Sequence, residues 1–221
     1  MTSHARRFDL IVFDWDGTLF DSTRLIARCI QAACADLGTA VPSDRDASYV
    51  IGLGLSDALR HAAPDLPRER YRELAARYRH HYLASLDELA LFDGTVAMLH
   101  ALRARNHWLG VATGKTRAGL DDALSRSALA GLFHATRTAD ETASKPDPRM
   151  LNELMRELGV PAERTLMVGD TTHDLQLAAN AGSASVAVSF GAHAHEAFAP
   201  FAPLHVAHST ADLAAWLAAH G

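Results

Sequence analysis

Leu10-Ile11-Val12-Phe13 is a run of four apolar residues without polar alternation, and it stops abruptly at Asp14. A strand with one wet face alternates. An unbroken run of this length fits a strand buried on both faces, as in a parallel sheet covered by helices on each side. Similar apolar stretches occur at 108–112, 165–168 and 185–188, with shorter strand candidates near 133–136 and 204–207. Helical periodicity fills 95–105, 147–158 and 211–219, and further helices follow Lys115 and Asp170. This alternation predicts an α/β fold with a Rossmann-like parallel-sheet core.

The alternation is interrupted once. A helix starts at Asp21 or Ser22, a plausible N-cap, and runs to about Leu37, where Gly38 closes it. Residues 41–89 then show helical segments and no convincing strand, punctuated by Gly52, Gly54, Pro64 and Pro67. The expected organisation is a core made of 1–21 and 91–221, with an all-helical domain, 22–90, inserted after the first strand.

A chain of 221 residues can bury a substantial core. Its formal net charge of −5 gives no basic surface for nucleic acid and argues against an anionic membrane partner. No apolar run approaches the roughly 18 residues a membrane span requires. Arg6 and Arg7 precede an apolar stretch as in a secretory leader, but Asp9, Asp14 and Asp16 interrupt it. Cys29 and Cys34, the two cysteines, are five apart in one helical pattern and face different ways. Two reduced thiols and a cytoplasmic location are the expectation.

Asp14, Thr113 and Asp170 each follow an apolar strand at its carboxyl end, the edge of an open parallel sheet where ligands bind. Lys145 adds a positive charge from a loop. Two carboxylates, a hydroxyl and an ammonium converging on one crevice suit a phosphate handled with a hard metal ion. The chain contains 19 arginines but only two lysines, Lys115 and Lys145, and both stand at these positions. Lysine's compact head fits a crowded site differently from a planar guanidinium.

These residues resemble the four ordered motifs of the haloacid dehalogenase superfamily: Asp14-Trp15-Asp16-Gly17-Thr18, Thr113-Gly114-Lys115, Lys145-Pro146 and Gly169-Asp170-Thr171-Thr172-His173-Asp174. The helical insert is similar to the cap of its phosphoglycolate-phosphatase-like branch. The resemblance implies a Mg²⁺-dependent phosphatase acting on a small phosphorylated metabolite, with Asp14 as the nucleophile that forms an aspartyl-phosphate. It implies Mg²⁺ held by Asp14, Asp170 and the Asp16 main-chain carbonyl, with Asp174 behind them holding a metal-bound water or Lys145. Asp16 is implied as general acid/base. Thr113 is expected to donate to a phosphoryl oxygen, and Lys145 to stabilise the phosphoryl group and Asp14. Amides of Asp16, Gly17 and Gly114 would complete the cradle. Lys115 would touch substrate or cap the turn.

Within this resemblance Asp16 argues against dehalogenase chemistry, and the lack of any lysine in the insert argues against phosphonate hydrolysis. A β-phosphoglucomutase-like mutase and an inactive binding protein are the alternatives. Trp15 should point away from the metal and pack beneath the site or against the hinge. The histidines, including His80, His81, His193, His195 and His205, lack zinc-site spacing and are read as surface or satisfied groups, with His173 unassigned. Residues 51–56 (Ile-Gly-Leu-Gly-Leu-Ser) resemble the loop by which such caps face the active site. Their small or apolar side chains lead to the expectation of a small substrate enclosed by cap movement.

Overall fold

The computed structural model describes residues 6–221, so residues 1–5 of the expected 1–21 segment lie outside the description. In chain order the strands are β1 (Leu10–Phe13), β2 (Phe20–Asp21), β3 (Ala90–Leu91), β4 (Trp108–Thr113), β5 (Ala135–Thr138), β6 (Thr165–Gly169), β7 (Ala184–Val188) and β8 (Val206–Ala207). The α-helices are α1 (Thr23–Asp36), α2 (Asp44–Tyr49), α3 (Leu55–Ala62), α4 (Tyr71–Ala84), α5 (Thr95–Ala104), α6 (Arg117–Ser125), α7 (Arg149–Leu158), α8 (Thr172–Asn180) and α9 (Thr210–His220).

Six strands form one parallel sheet in the order β5-β4-β1-β6-β7-β8. The first strand is therefore central, as its apolar run requires. Ile11 and Phe13 join a cluster with Leu99 of α5 and Leu213 of α9, whereas Leu10 and Val12 join one with Leu151 of α7 and Leu177 of α8. Successive side chains thus enter opposite apolar layers, and both layers are dry.

Register places the chemistry. Phe13 is paired with Val111 of β4 on one side and Val168 of β6 on the other. The chain therefore emerges from three adjacent strands at one level, delivering Asp14, Thr113 and Asp170 to the same edge. The sheet order departs to opposite sides at β1, which makes a crevice there.

Helices α1 to α4 gather a separate apolar cluster that includes Ile30, Cys34, Ile51, Leu59 and Leu74. Cys29 and Cys34 are both buried and free, and burial pushes the Cys29 thiol up to about 11. A small antiparallel pair joins Phe20 to Leu91 and Asp21 to Ala90, tying together the two crossings between the helical segment and the sheet layer. Two-residue strands carry no readable periodicity, and this pair was not expected. Sequence expectations at other edges move by a few residues: α7 begins at Arg149 rather than 147, because Pro148 occupies the N-cap, and β5 lies at 135–138 rather than 133–136. Among the described residues no helix is long and apolar enough to cross a membrane.

Leu74 is fully buried in the helical segment. Leu74→Ala should cost ~2–5 kcal/mol of unfolding free energy in a denaturant titration. Loss of the helical cluster alone, with an unchanged transition for the sheet layer, would show that the two do not unfold as one unit.

Candidate active site

Asp14 leaves β1 with its amide donating to Val168 O at 2.9 Å, which fixes the residue over the β1/β6 junction. Its side chain is buried, as are those of Asp170, Asp174 and Lys145. Lys145 Nζ lies 2.7 Å from Asp14 Oδ1 and 2.6 Å from Asp174 Oδ1. These are ion pairs by distance without the direction of hydrogen bonds, so both buried Asp14 oxygens remain without a directed donor. Carboxylate oxygens of Asp14, Asp170 and Asp174 lie within 4.8 Å of one another.

One ammonium faces three carboxylates, so the ionised cluster carries two surplus negative charges. Burial drives the Asp14 carboxyl well above its usual range; Lys145 pulls it back, and Asp174 and Asp170 push it further up. Asp170 is pushed up to about 7 by burial and by Asp174, against the Ala192 amide and the Thr18 hydroxyl. Burial alone would lower Lys145, but the flanking Asp14 and Asp174 outweigh it and hold the ammonium charged. Undirected buried oxygens, excess negative charge and an all-oxygen donor set fit a small divalent cation.

Each carboxylate is held in place. Thr18 Oγ1 donates to Asp170 Oδ1 at 2.9 Å and the Ala192 amide to Oδ2 at 2.7 Å. Gly17, at φ +79°, passes so close that a Cβ there would lie 2.2 Å from Asp170 Oδ2, as would one at Gly191. Asp174 closes a capping box at the start of α8: Thr171 caps its amide, while the Thr171 amide and hydroxyl donate to Asp174 Oδ2 at 3.1 and 2.6 Å. The helix start therefore aims the other oxygen, Oδ1, at Lys145.

Asp16 lies on the other side of the backbone turn. Its Oδ1 accepts from Ser22 Oγ at 2.7 Å and meets Lys115 Nζ at 3.1 Å. The Asp174 side chain, expected to hold a metal-bound water or Lys145, pairs with Lys145 and stands in the same carboxylate group, and Asp16 keeps its own side chain out of it. Ser22 stands at the N-cap of α1 as expected, but its hydroxyl serves Asp16 and makes no cap hydrogen bond. Lys115 caps nothing through its side chain: Nζ also donates to Tyr82 of α4 at 2.9 Å and lies 5.0 Å from that ring's centroid. One lysine therefore links Asp16 to the helical segment. Burial opposes its charge, and Asp16 and Tyr82 more than compensate.

Thr113 is buried, and its Oγ1 accepts from the Lys115 amide at 3.2 Å. The expected use of the Gly17 amide in a phosphate cradle is corrected, because that amide donates to Phe20 O at 2.8 Å within the turn. Trp15 stacks on Phe20 with centroids 5.0 Å apart and belongs to the core beneath the site.

The 50s loop seats on the crevice. A Cβ at Gly114 would lie 2.3 Å from Leu53 O, and the Gly54 amide donates to Ser144 Oγ at 2.8 Å. Beside it, His173 and His193 both direct Nε2 at the Tyr49 carbonyl, at 2.8 and 3.0 Å, and burial holds both rings below their usual value. His173, unassigned by motif, is thus a link to the helical segment. Between the layers lies a cavity of about 570 Å³ whose lining includes Asp14, Asp16, Thr113 and Lys115.

Ser22, Tyr82, His193 and the Gly191-Ala192 turn were missed in the sequence. Only the last had a readable signal, a glycine shortly after an apolar strand. Ser22 reads as a helix cap in the sequence, and Tyr82 and His193 act through partners distant in the chain.

Residues 11–188 match the model of the haloacid dehalogenase-like hydrolases. A probable phosphatase, IndB, of Dickeya dadantii is 36% identical over 190 residues, covering 83% of this chain and 82% of that protein. A phosphoglycolate phosphatase of Aliivibrio fischeri is 32% identical, covering 82% of this chain and 84% of the relative. Among solved structures, one described as a predicted phosphoglycolate phosphatase from Haemophilus somnus superposes with a TM-score of 0.82 at 26% identity, covering 94% of this chain and 96% of the other. The chain belongs to the haloacid dehalogenase-like hydrolases and is a phosphatase of that family, a phosphoric monoester hydrolase.

Proposed function

We propose that the protein hydrolyses phosphomonoesters with Mg²⁺ through a covalent intermediate on Asp14. The observation that carries this reading is the undirected, buried Asp14 carboxylate, held against Lys145 and Asp170 at the floor of a cavity that Asp16 also faces. Asp14 and Asp170 would hold the ion, with Asp174 within reach of the same group. Bound there, Mg²⁺ would offset the repulsion between an anionic nucleophile and an anionic phosphate.

An Asp14 oxygen attacks phosphorus as the bond from phosphorus to the ester oxygen breaks. Asp16 gives its proton to the departing oxygen. A water then attacks the phosphorus of the aspartyl-phosphate and passes a proton to Asp16. The bond to Asp14 breaks, the carboxylate returns, and inorganic phosphate leaves. Ser22 and Lys115 orient Asp16 throughout. Lys145 keeps its charge beside the reacting oxygen and is itself held by Asp174. The Thr113 hydroxyl, which already accepts from the Lys115 amide, has its proton free for a phosphoryl oxygen. Of the expected cradle, the Asp16 and Gly114 amides stay with the phosphoryl group.

Asp14→Asn should abolish turnover and leave no phosphate on the protein after acid quench. Asp16→Asn should lower kcat by about 10²–10⁴-fold. Wild-type turnover in both variants contradicts the mechanism.

The metal reading has a separate consequence. Asp14 and Asp170 have raised values, so the metal-free folded state binds protons that the unfolded chain releases above pH ~4. That contribution weakens the metal-free protein as pH rises toward 7, and a cation that displaces those protons restores more stability at higher pH. The rise in Tm caused by Mg²⁺ should therefore grow between pH 5.5 and 8 and vanish in Asp170→Asn. Histidine titrations enter both the loaded and unloaded melts and cancel in the difference. A pH-independent increment is the contrary result.

A further inference from the structure

The cavity above Asp14 is larger and drier than a two-carbon phosphorylated acid requires. At about 570 Å³ it lies within the range of roughly 300–1,000 Å³ that encloses ligands of drug size. The helical segment contributes Ile30, Leu53, Tyr78 and Leu86, and the sheet layer contributes Trp15 and Ala123. Tyr78 and the neighbouring Tyr82 are stacked at 5.9 Å between centroids, and burial raises both hydroxyls above their usual range. The small residues of the 50s loop, read alone, suggested a small substrate; they form only one edge of this space.

The charges around the cavity sharpen the point. Among its lining residues the cations are Arg79, Lys115 and Arg126. Lys115 is committed to Asp16 and Tyr82. Arg126 lies at the exposed rim facing Asp87, at 3.8 Å. Arg79 is also exposed, and a further acid, Asp122, stands at the rim. No buried, uncommitted cation lines the cavity to receive a second anionic group. A carboxylate or second phosphate carried into this space would lose water without gaining a partner, a cost of several kcal/mol for a buried charge.

We infer that the substrate is a phosphomonoester with an uncharged, predominantly apolar body that fills the cavity between Ala123 and the Tyr78–Leu86 side. This rests on the phosphatase reading and specifies which phosphomonoesters it takes. Asp14 and Asp16 handle the phosphate end, while the apolar lining takes the leaving alcohol. Because that body is buried before reaction, its contribution appears in kcat/KM.

A homologous series of n-alkyl phosphates tests this with nearly constant leaving-group chemistry. With the Mg²⁺-loaded enzyme, kcat/KM from propyl to hexyl phosphate should rise by as much as about fourfold per methylene, the value for full burial of a CH₂ at ~0.8 kcal/mol. Hexyl phosphate should exceed phosphoglycolate. A flat or falling series, or a higher kcat/KM for phosphoglycolate or pyrophosphate, overturns the substrate class and leaves the phosphatase reading standing. No phosphate release from the series, phosphoglycolate, pyrophosphate or acetyl phosphate overturns both. Leu86, half-buried and packed into none of the apolar clusters, allows a second check. Leu86→Asp should flatten the alkyl series. A series as steep as wild type in a variant with native circular dichroism contradicts the placement.

Discussion

Three carboxylates share one buried ammonium at the carboxyl end of the sheet, and the arrangement of the site follows from accommodating that charge. A desolvated ion without a partner is costly, and here negative charge outnumbers positive among buried side chains. Secondary structure answers part of the problem. The β6–α8 turn fixes Asp174 through the Thr171 amide and cap, while the Ala192 amide after β7 and Thr18 from the β1 turn hold Asp170. Glycine at 17 and 191 leaves Asp170 room to sit between two backbone segments. In the proposed mechanism a divalent cation would meet the remaining imbalance, with Asp14 as the nucleophile.

The helical segment completes the site from above. Its polar contacts with the sheet layer include Lys115 to Tyr82, Gly54 to Ser144, and two histidines to the Tyr49 carbonyl. Contacts of this kind can break and re-form without exposing a large apolar interface, which suits an element that must admit a substrate. Gly114 shows how closely the layers meet, because the 50s loop carbonyls occupy the space a side chain would need. Lys115 has a double position, touching both the Asp16 carboxylate and the helical segment. The placement of the helical segment and the orientation of Asp16 are thereby linked through one side chain.

Much of this was legible in the sequence, for physical reasons that can be named. Leu10 to Phe13 had to be central because no solvent-facing strand tolerates such a run, and the strand-end positions of Asp14, Thr113 and Asp170 followed from the same periodicity. Lys145 stood out because an arginine-rich chain kept lysine there. Less visible were interactions whose signal is not a residue type at a spacing. Ser22 looked like a cap and serves Asp16, because a hydroxyl at a helix start can face either backbone or a neighbouring acid. His173 and His193 are defined by a main-chain carbonyl on a distant helix. The Gly17 amide was expected to face phosphate, but turn closure takes it. Asp174 was expected to hold Lys145 or a metal-bound water, and its ion pair with Lys145 agrees; that it also stands among the clustered carboxylates follows from the helix start.

The most direct test of the charge-balance account is an anomalous diffraction experiment on crystals soaked in Mn²⁺, a stand-in for Mg²⁺ with comparable oxygen preference. The expected result is one strong peak bonded to carboxylate oxygens of Asp14 and Asp170, with Lys145 still paired to Asp174 and the peak lost in Asp170→Asn. A peak ligated by the Asp16 side chain, or no peak at the buried carboxylates, would contradict it.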